Sequence, residues 1–226
     1  MRRRVPAGGL LMAGLLAGLI LLFSMLGRLA EGPWRGVIHP VDEATAFWVH
    51  SLTSPALDVP MWSLSWMGEA RQMAVGLVAL LVYLLWRRRY FSALSVTLIM
   101  PGTGVMKELT SSVVQRQRPN YWIQHDPSDL GYPGGDVMNA VVLTGLCLFL
   151  VWPRLRARWQ RTSLALGALL IVSATGFSRV YVSAHWLTDN LAGVLMGAIW
   201  VAFAVRVVRW MFPHCRDIVG RATDEA

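Results

Sequence analysis

The chain has 226 residues, of which 55% are hydrophobic and only 15% are charged, and its formal net charge is +8. A mean hydropathy of +0.47 is higher than a soluble domain of this length needs, so the composition excludes an ordinary soluble protein and indicates membrane-spanning helices. The arginines stand in short clusters beside apolar runs, which favours a role in membrane orientation over nucleic-acid binding, and we expect no nucleic-acid partner.

Six apolar runs predict an all-α bundle of six transmembrane helices. The first run, residues 9–26, follows Arg2–Arg4 and has no convincing cleavage site after it, so we interpret it as a retained signal anchor. The other runs lie near residues 72–86, 91–113, 137–153, 162–180 and 189–211. The predicted organisation is an N-terminal tail and first helix (1–30), an extracytoplasmic loop (31–69), a transmembrane core (70–211) and a cytoplasmic tail (212–226).

Clusters of arginine predict the orientation of these spans. If the spans alternate across the bilayer, every cluster falls on one side, which the positive-inside rule identifies as the cytoplasm. The clusters are Arg2–Arg4, Arg87–Arg89, Arg154–Arg161 and Arg206–Arg221. We therefore expect a multi-pass protein of a bacterial-type cytoplasmic (inner) membrane with both termini in the cytoplasm.

The first outer segment, residues 27–71, contains several tryptophans and the sequence DEATAFWVHSL at 42–52. Its apolar residues recur at helical spacing and its acidic residues stand at the start. This pattern predicts a short helix lying in the membrane interface, where tryptophan is favoured. A plain surface loop is the alternative.

The most unusual polar residues fall in three separate segments that this orientation places on the outer face: SSVVQRQRPNYW, DLGYPGGDVMNAVV and SRVYVSAHWLTD. Ionisable groups near membrane depth are costly and usually functional. If a helix begins near His185, Asp189 lies on the same face and accepts a hydrogen bond from the imidazole, which makes His185 a better nucleophile or base. Arg118 and Arg179 carry forked donors suited to phosphate oxygens. Taken singly, these residues fit an ion pair and an idle interfacial histidine, but their convergence favours a phosphate site.

These segments resemble the signatures of the type 2 phosphatidic acid phosphatase (PAP2) superfamily. SRVYVSAHWLTD matches the third signature, S-R-x5-H-x3-D, while QRQRPN resembles the end of the first and YPGGDVMNAVVLTG resembles the second, P-S-G-H. The resemblance runs from about residue 70 to 208 and includes the six-span layout. It implies that His185 attacks phosphorus and forms a phosphohistidine, that Asp189 orients it, and that Arg118 and Arg179 bind the phosphoryl oxygens. The sequence shows no metal-ligand spacing and the resemblance implies no cofactor, so we expect neither.

The sequence departs from the first signature at its lysine, whose position here is Ser111. Lys107 lies one helical turn earlier and is a candidate phosphate ligand, although it can equally face elsewhere. Between the first two signatures, His125 is a second candidate acid, but an exposed loop histidine is the simpler interpretation.

The second signature departs at two of its polar positions. Its serine is Gly134, its glycine is kept as Gly135, which remains a candidate phosphate-binding position, and its histidine is Asp136. Asp136 is a candidate acid for the leaving group only if its pKa is raised. An apolar pocket raises that pKa and two nearby arginines lower it, so the sequence leaves the sign open.

The sequence therefore predicts an integral-membrane enzyme that acts on a lipid phosphate or diphosphate in the bilayer, by hydrolysis or by transfer to a lipid acceptor. Diphosphates such as undecaprenyl diphosphate are favoured, because a phosphate leaving group needs less protonation than an alkoxide. The alternative is a catalytically impaired relative that binds lipid phosphate or serves as a membrane partner or transport component. A vanadate-holding haloperoxidase is less favoured, because the apolar spans indicate a lipid substrate.

Overall fold

The structure, a computed structural model, describes residues 4–122, 126 and 128–212. His125, Arg2, Arg3 and residues 213–226 lie outside the described residues. Within them the chain is all-α, as predicted, and the β-structure is confined to an isolated bridge between Gln117 and Leu130. The helices are α1 (Arg4–Glu31), α2 (Arg35–His50), α3 (Pro55–Gly68), α4 (Ala70–Trp86), α5 (Tyr90–Ile99), α6 (Pro101–Val114), α7 (Gly135–Val151), α8 (Arg158–Tyr181) and α9 (Leu187–Met211), with a 3-10 turn at Trp152–Arg154 after α7.

The prediction of six spans is not confirmed. Among the described residues, four helices are long and apolar enough to cross a membrane: α1, α7 with its 3-10 turn, α8 and α9. Helices α3 and α4 are long and apolar enough only if they are counted together as one span bent by 58°, which would raise the number of spans to five. The predicted third span, 91–113, is divided into α5 and α6, and α6 carries Lys107, Glu108 and several hydroxyl side chains that lower its hydropathy.

The break between α5 and α6 is built around Pro101, which has no backbone N–H to donate. The carbonyl of Ile99 accepts a hydrogen bond of 2.9 Å from the indole Nε1 of Trp200 on α9. Gly102 makes room for this indole, because a Cβ there would lie 2.4 Å from the Trp200 ring. A neighbouring helix thus satisfies a backbone group at an irregular point of the chain, as an apolar environment requires.

Residues 31–69, predicted as a loop with one short helix, form two helices in the structure. Most of the predicted interfacial segment 42–52 lies in α2, which begins earlier, and α3 follows after a short turn. The periodicity of the apolar residues therefore predicted a helix correctly, but the predicted helix was too short. Placement of α2 in the membrane interface stays a prediction.

The core is formed mainly by α9, which packs against α7 and α1, while α8 packs against α7 and α3. Met138, Leu146, Met196 and Trp200 are among its fully or almost fully buried residues. This packing brings four helix ends together at one end of the bundle: the C-termini of α6 and α8 and the N-termini of α7 and α9. The three polar sequence segments join these ends, so the fold places them side by side.

Candidate active site

His185 lies in the tight turn between α8 and α9. The amides of Ala184 and His185 both donate to the carbonyl of Arg179, at 2.8 and 3.3 Å, and Ser183 takes a left-handed conformation with φ 55°. Helix α9 begins only at Leu187. His185 is therefore held by the turn, before the helix, and is 1% exposed.

The imidazole of His185 has a defined partner at each nitrogen. Nδ1 lies 2.7 Å from the carbonyl oxygen of Gly131, which can only accept, so Nδ1 carries the hydrogen. Nε2 lies 3.1 Å from Oδ2 of Asp136 at the start of α7. A proton shared between Nε2 and this carboxylate leaves Nε2 as the nitrogen available for chemistry.

In the structure, Asp189 does not form the hydrogen bond to His185 that the sequence predicted. The four-residue spacing places two side chains on one helix face only if both belong to the helix, and His185 precedes it. Asp189 is instead the third residue of α9, and its Oδ2 accepts from the amide of Trp186 at 3.0 Å, as a residue that caps a helix N-terminus does. Its Oδ1 accepts from Arg116 Nη1 at 2.8 Å.

A cavity of about 690 Å³ opens in front of His185, a size typical of a small-molecule site. Six of the seven predicted site residues line it: Lys107, Arg118, Gly135, Asp136, Arg179 and His185. Asp189, the seventh, lies behind the lining and is fully buried. The predicted phosphate ligands thus line one cavity together with His185, and Lys107 on α6 is among them.

Arg179, on the last turn of α8, is 5% exposed and contacts both α7 and α3. Its Nη2 lies 2.9 Å from Oδ2 of Asp136, so that this oxygen contacts both the guanidinium and the imidazole. Its Nη1 donates to Oγ and to the carbonyl oxygen of Ser65 on α3, at 2.7 and 3.2 Å. Among the residues that the structure describes, the buried Nε atoms of Arg179 and Arg118 have no hydrogen-bond partner, so both guanidinium groups retain donor capacity.

Two of the three glycines in the second sequence segment, Gly134 and Gly135, stand where a side chain would crowd its neighbours. A Cβ on Gly134 would lie 2.9 Å from the carbonyl oxygen of Asp189, and the amide of Gly134 donates to that oxygen at 2.9 Å. The starts of α7 and α9 are therefore too close for the serine of the P-S-G-H signature. A Cβ on Gly135 would lie 3.1 Å from the aliphatic chain of Lys107, so this glycine lets the lysine pass toward the cavity.

Among the residues that contact the predicted site residues, Ser65 and Arg116 were missed by sequence reasoning. Ser65 comes from a segment that was predicted as a loop, and no local pattern distinguishes it. Arg116 stands two residues before Arg118, in the extended stretch bridged by Gln117 and Leu130. Residues two apart in a regular extended strand share one face, so their spacing predicts that both arginines point the same way. The structure instead places Arg118 at the cavity and buries Arg116, and the sequence pattern gave no signal for this divergence.

The buried guanidinium of Arg116 is surrounded by carboxylates. Burial lowers its pKa, but Asp189, Asp42 and Glu31 more than offset this effect, so the pKa lies above its ordinary value. It therefore remains charged, and its ion pairs join the helices at this end of the bundle. The arrangement as a whole can bind an oxyanion beside a nucleophilic nitrogen.

Comparison with known proteins agrees with this geometry. The model of the PAP2 superfamily matches residues 92–213. Phosphatidylglycerophosphatase B of Bacillus subtilis is 23% identical over 181 residues, which are 79% of this chain and 88% of that protein. An undecaprenyl-diphosphatase of Sulfolobus acidocaldarius is 32% identical over 106 residues, which are 44% of this chain and 46% of that protein.

The fold is also similar to a solved one. The crystal structure of a transmembrane PAP2-type phosphatidylglycerolphosphate phosphatase from B. subtilis has a TM-score of 0.71 at 21% identity, covering 92% of this chain and 98% of that one. The apolar helices and this fold identify a multi-pass membrane protein. Because the family match takes in more than half of its residues, the chain belongs to the PAP2 superfamily.

Proposed function

We propose that the protein is a membrane lipid phosphatase that cleaves phosphate or diphosphate esters through a phosphohistidine on His185. The observation that carries this proposal is the meeting, in one cavity, of Nε2 of His185, the carboxylate of Asp136 and the guanidinium groups of Arg118 and Arg179. The relatives named phosphatidylglycerophosphatase B and undecaprenyl-diphosphatase support a lipid substrate.

Binding of the substrate begins with competition for Arg179. The phosphoryl oxygens take the donors of Arg118, Arg179 and Lys107, and one of them replaces Oδ2 of Asp136 on the Arg179 guanidinium. Guanidinium groups suit this exchange because their fork matches the spacing of phosphate oxygens. Asp136 then keeps its contact with Nε2 alone.

The chemical step follows from that contact. Asp136 accepts the Nε2 proton, and the freed lone pair attacks phosphorus while the bond from phosphorus to the leaving oxygen breaks. The protonated carboxyl group of Asp136 gives the same proton to the departing oxygen. Arg118 and Arg179 stabilise the charge on the equatorial oxygens, and Gly131 keeps the hydrogen on Nδ1. Asp136 thus combines the roles of base and acid.

A second step regenerates the histidine. Asp136, again a carboxylate, removes a proton from a water molecule that attacks phosphorus, and the bond from Nε2 to phosphorus breaks. A lipid hydroxyl or phosphate group in place of water makes the protein a phosphotransferase. A diphosphate fits this site better than a monoester. Its leaving group is a phosphate, which needs little protonation, and the proposed acid is a single carboxyl group.

The site faces the outside of the inner membrane in this proposal, with six spans and both termini in the cytoplasm. Helices α7, α8 and α9 each have the site at one end and arginines at or beyond the other, including Arg154, Arg158 and Arg209. The positive-inside rule makes the arginine end cytoplasmic. In a variant lacking Cys147 and Cys215, a membrane-impermeant maleimide should label Tyr121→Cys in intact cells and spare Trp159→Cys; the reverse pattern contradicts the orientation.

Catalysis is tested with purified protein in detergent. Phosphate release is measured from phosphatidic acid, phosphatidylglycerophosphate, undecaprenyl diphosphate and lipid A, together with acid-labile phosphate trapped on the protein. His185→Ala should abolish both signals, whereas His50→Ala, which alters a histidine stacked on Trp122, should retain them. Full activity of His185→Ala rejects the phosphohistidine.

The second candidate is a non-catalytic protein that binds lipid phosphate. The aspartate at position 136 favours it, because the histidine that the P-S-G-H signature supplies as the leaving-group acid is absent from this position. Phosphate binding that depends on Arg118 and Arg179, with no turnover of any substrate in the panel, would support this candidate over the enzyme.

A further inference from the structure

Arg116 is buried away from the cavity that Arg118 lines, although the two residues are neighbours in the sequence. Its side chain is 3% exposed and reaches three helices. Nη1 donates to Oδ1 of Asp189 at 2.8 Å and to Oγ1 of Thr188 at 2.7 Å. Nη2 donates to Oδ2 of Asp42 on α2 at 2.7 Å. This guanidinium group therefore joins α2 to the first turn of α9.

A third arm extends to α1. Nε of Arg116 lies 2.6 Å from Oε1 of Glu31 at the end of that helix, an ion pair without the geometry of a hydrogen bond. Asp42 is 1% exposed and also accepts from the amide and the hydroxyl of Thr188, at 2.9 and 2.6 Å. A lysine cannot hold Asp189, Thr188 and Asp42 in these fixed directions, because its ammonium group lacks the planar fork.

Two short paths lead from Arg116 to the imidazole of His185. Along the backbone, the carbonyl of Arg116 accepts from the amide of Gly131 at 2.8 Å, and the carbonyl of Gly131 accepts from Nδ1 of His185 at 2.7 Å. Through the side chain, Arg116 fixes Asp189, whose other oxygen accepts from the amide of Trp186, the residue after His185. Both paths end on the ring or on its backbone.

We propose that Arg116 is the positioning residue that sets the imidazole of His185 toward the cavity, and that it makes α1 and α2 part of the catalytic unit. Glu31 and Asp42 both precede residue 92, where the match to the family begins. The carboxylate of Asp189 acts through this network and not through a direct bond to the ring. This inference rests on the proposed function for its kinetic test only.

The kinetic test compares Arg116→Lys with two matched variants. Arg116→Lys should lower kcat by about 100-fold, the cost of a misplaced reacting group, and leave KM within about threefold. Arg118→Lys should mainly raise KM, because it removes a phosphate fork. Arg35→Lys, at an exposed arginine of α2, should change neither. Wild-type kcat in Arg116→Lys, or a raised KM with unchanged kcat, overturns the proposal.

A second measurement needs no turnover. Diethyl pyrocarbonate acylates an unprotonated imidazole nitrogen, and mass spectrometry of the His185 peptide gives its rate across pH. Arg116→Lys should change this pH profile, while Arg35→Lys should not; an unchanged profile refutes the positioning role. If the profile changes but the wild type never releases phosphate, the proposed function fails and the positioning role stands.

Two further variants cover the case in which Arg116→Lys does not fold. Asp42→Asn and Glu31→Gln each weaken one arm of the network and keep the shape of the side chain. Each variant should lower kcat and leave KM constant, as expected for Arg116→Lys. The loss of kcat should be smaller for Glu31→Gln, because the Glu31 side chain is 25% exposed. Wild-type kcat and an unaltered labelling profile in both folded variants would reject the proposal.

Discussion

Replacing Asp136 by asparagine separates two effects that this carboxylate exerts on the site. In the resting protein Oδ2 lies 2.9 Å from Nη2 of Arg179 and 3.1 Å from Nε2 of His185, so it occupies donors that a phosphoryl group needs. A hydrogen bond to a charged group contributes about 1.5–3 kcal/mol. When the carboxylate of Asp136 holds the donor that phosphate would use, phosphate binding is weakened by about tenfold to 100-fold. Asp136→Asn should therefore bind inorganic phosphate at least about tenfold more tightly.

The same change removes the group that carries the proton. An amide neither accepts a proton from Nε2 nor donates one to the leaving oxygen, so kcat should fall by about 10²–10⁴-fold, the usual contribution of general acid–base catalysis. The loss should be smaller for a diphosphate than for a monoester, since its leaving group needs less protonation. Tighter binding with slower turnover is the signature of the dual role.

The assay combines calorimetric titration of phosphate with steady-state kinetics on a diphosphate and a monoester. Asp129→Asn is the matched control, because Asp129 lines the same cavity from the loop before α7. Weaker phosphate binding in Asp136→Asn would show that the carboxylate does not compete with substrate. Unchanged kcat would remove Asp136 from the proton path, and a strong gain of activity in Asp136→His would mark it as an impaired acid.

Three further changes test the surroundings of the site. Gly134→Ser, which restores the family's serine, should destabilise the protein by about 1–3 kcal/mol, because its Cβ meets the Asp189 carbonyl at 2.9 Å; a thermal unfolding temperature equal to that of the wild type would contradict this. Ser65→Ala removes the 2.7 Å contact to Arg179 and should raise KM by about tenfold with little change in kcat, as for one charge-assisted hydrogen bond; a purely kcat effect in steady-state kinetics would refute it. Lys107→Met should weaken phosphate binding in the same titration and keep the fold, and wild-type affinity would exclude Lys107 from the site.

Much of the site was accessible from the sequence because its residues follow a spaced motif. Arg179 and His185 belong to one such motif and lie in the cavity as predicted, and Arg118 joins them there. The direct pairing of His185 with Asp189 was wrong, since it assumed that the helix begins at the histidine. The turn closed by Ser183 delays the helix start to Leu187, and a difference of two residues redirects the carboxylate.

The sequence by itself determined that this chain enters a membrane, that it is helical, and which residues carry the family signature. These properties depend on composition and on spacing within single segments, where the cost of placing polar groups in lipid acts locally. Only the tertiary structure decided that Lys107 reaches the cavity, that Arg116 holds Asp189, and that Ser65 contacts Arg179. Such contacts join segments far apart in the chain, and their distances are set by how closely the helix ends pack.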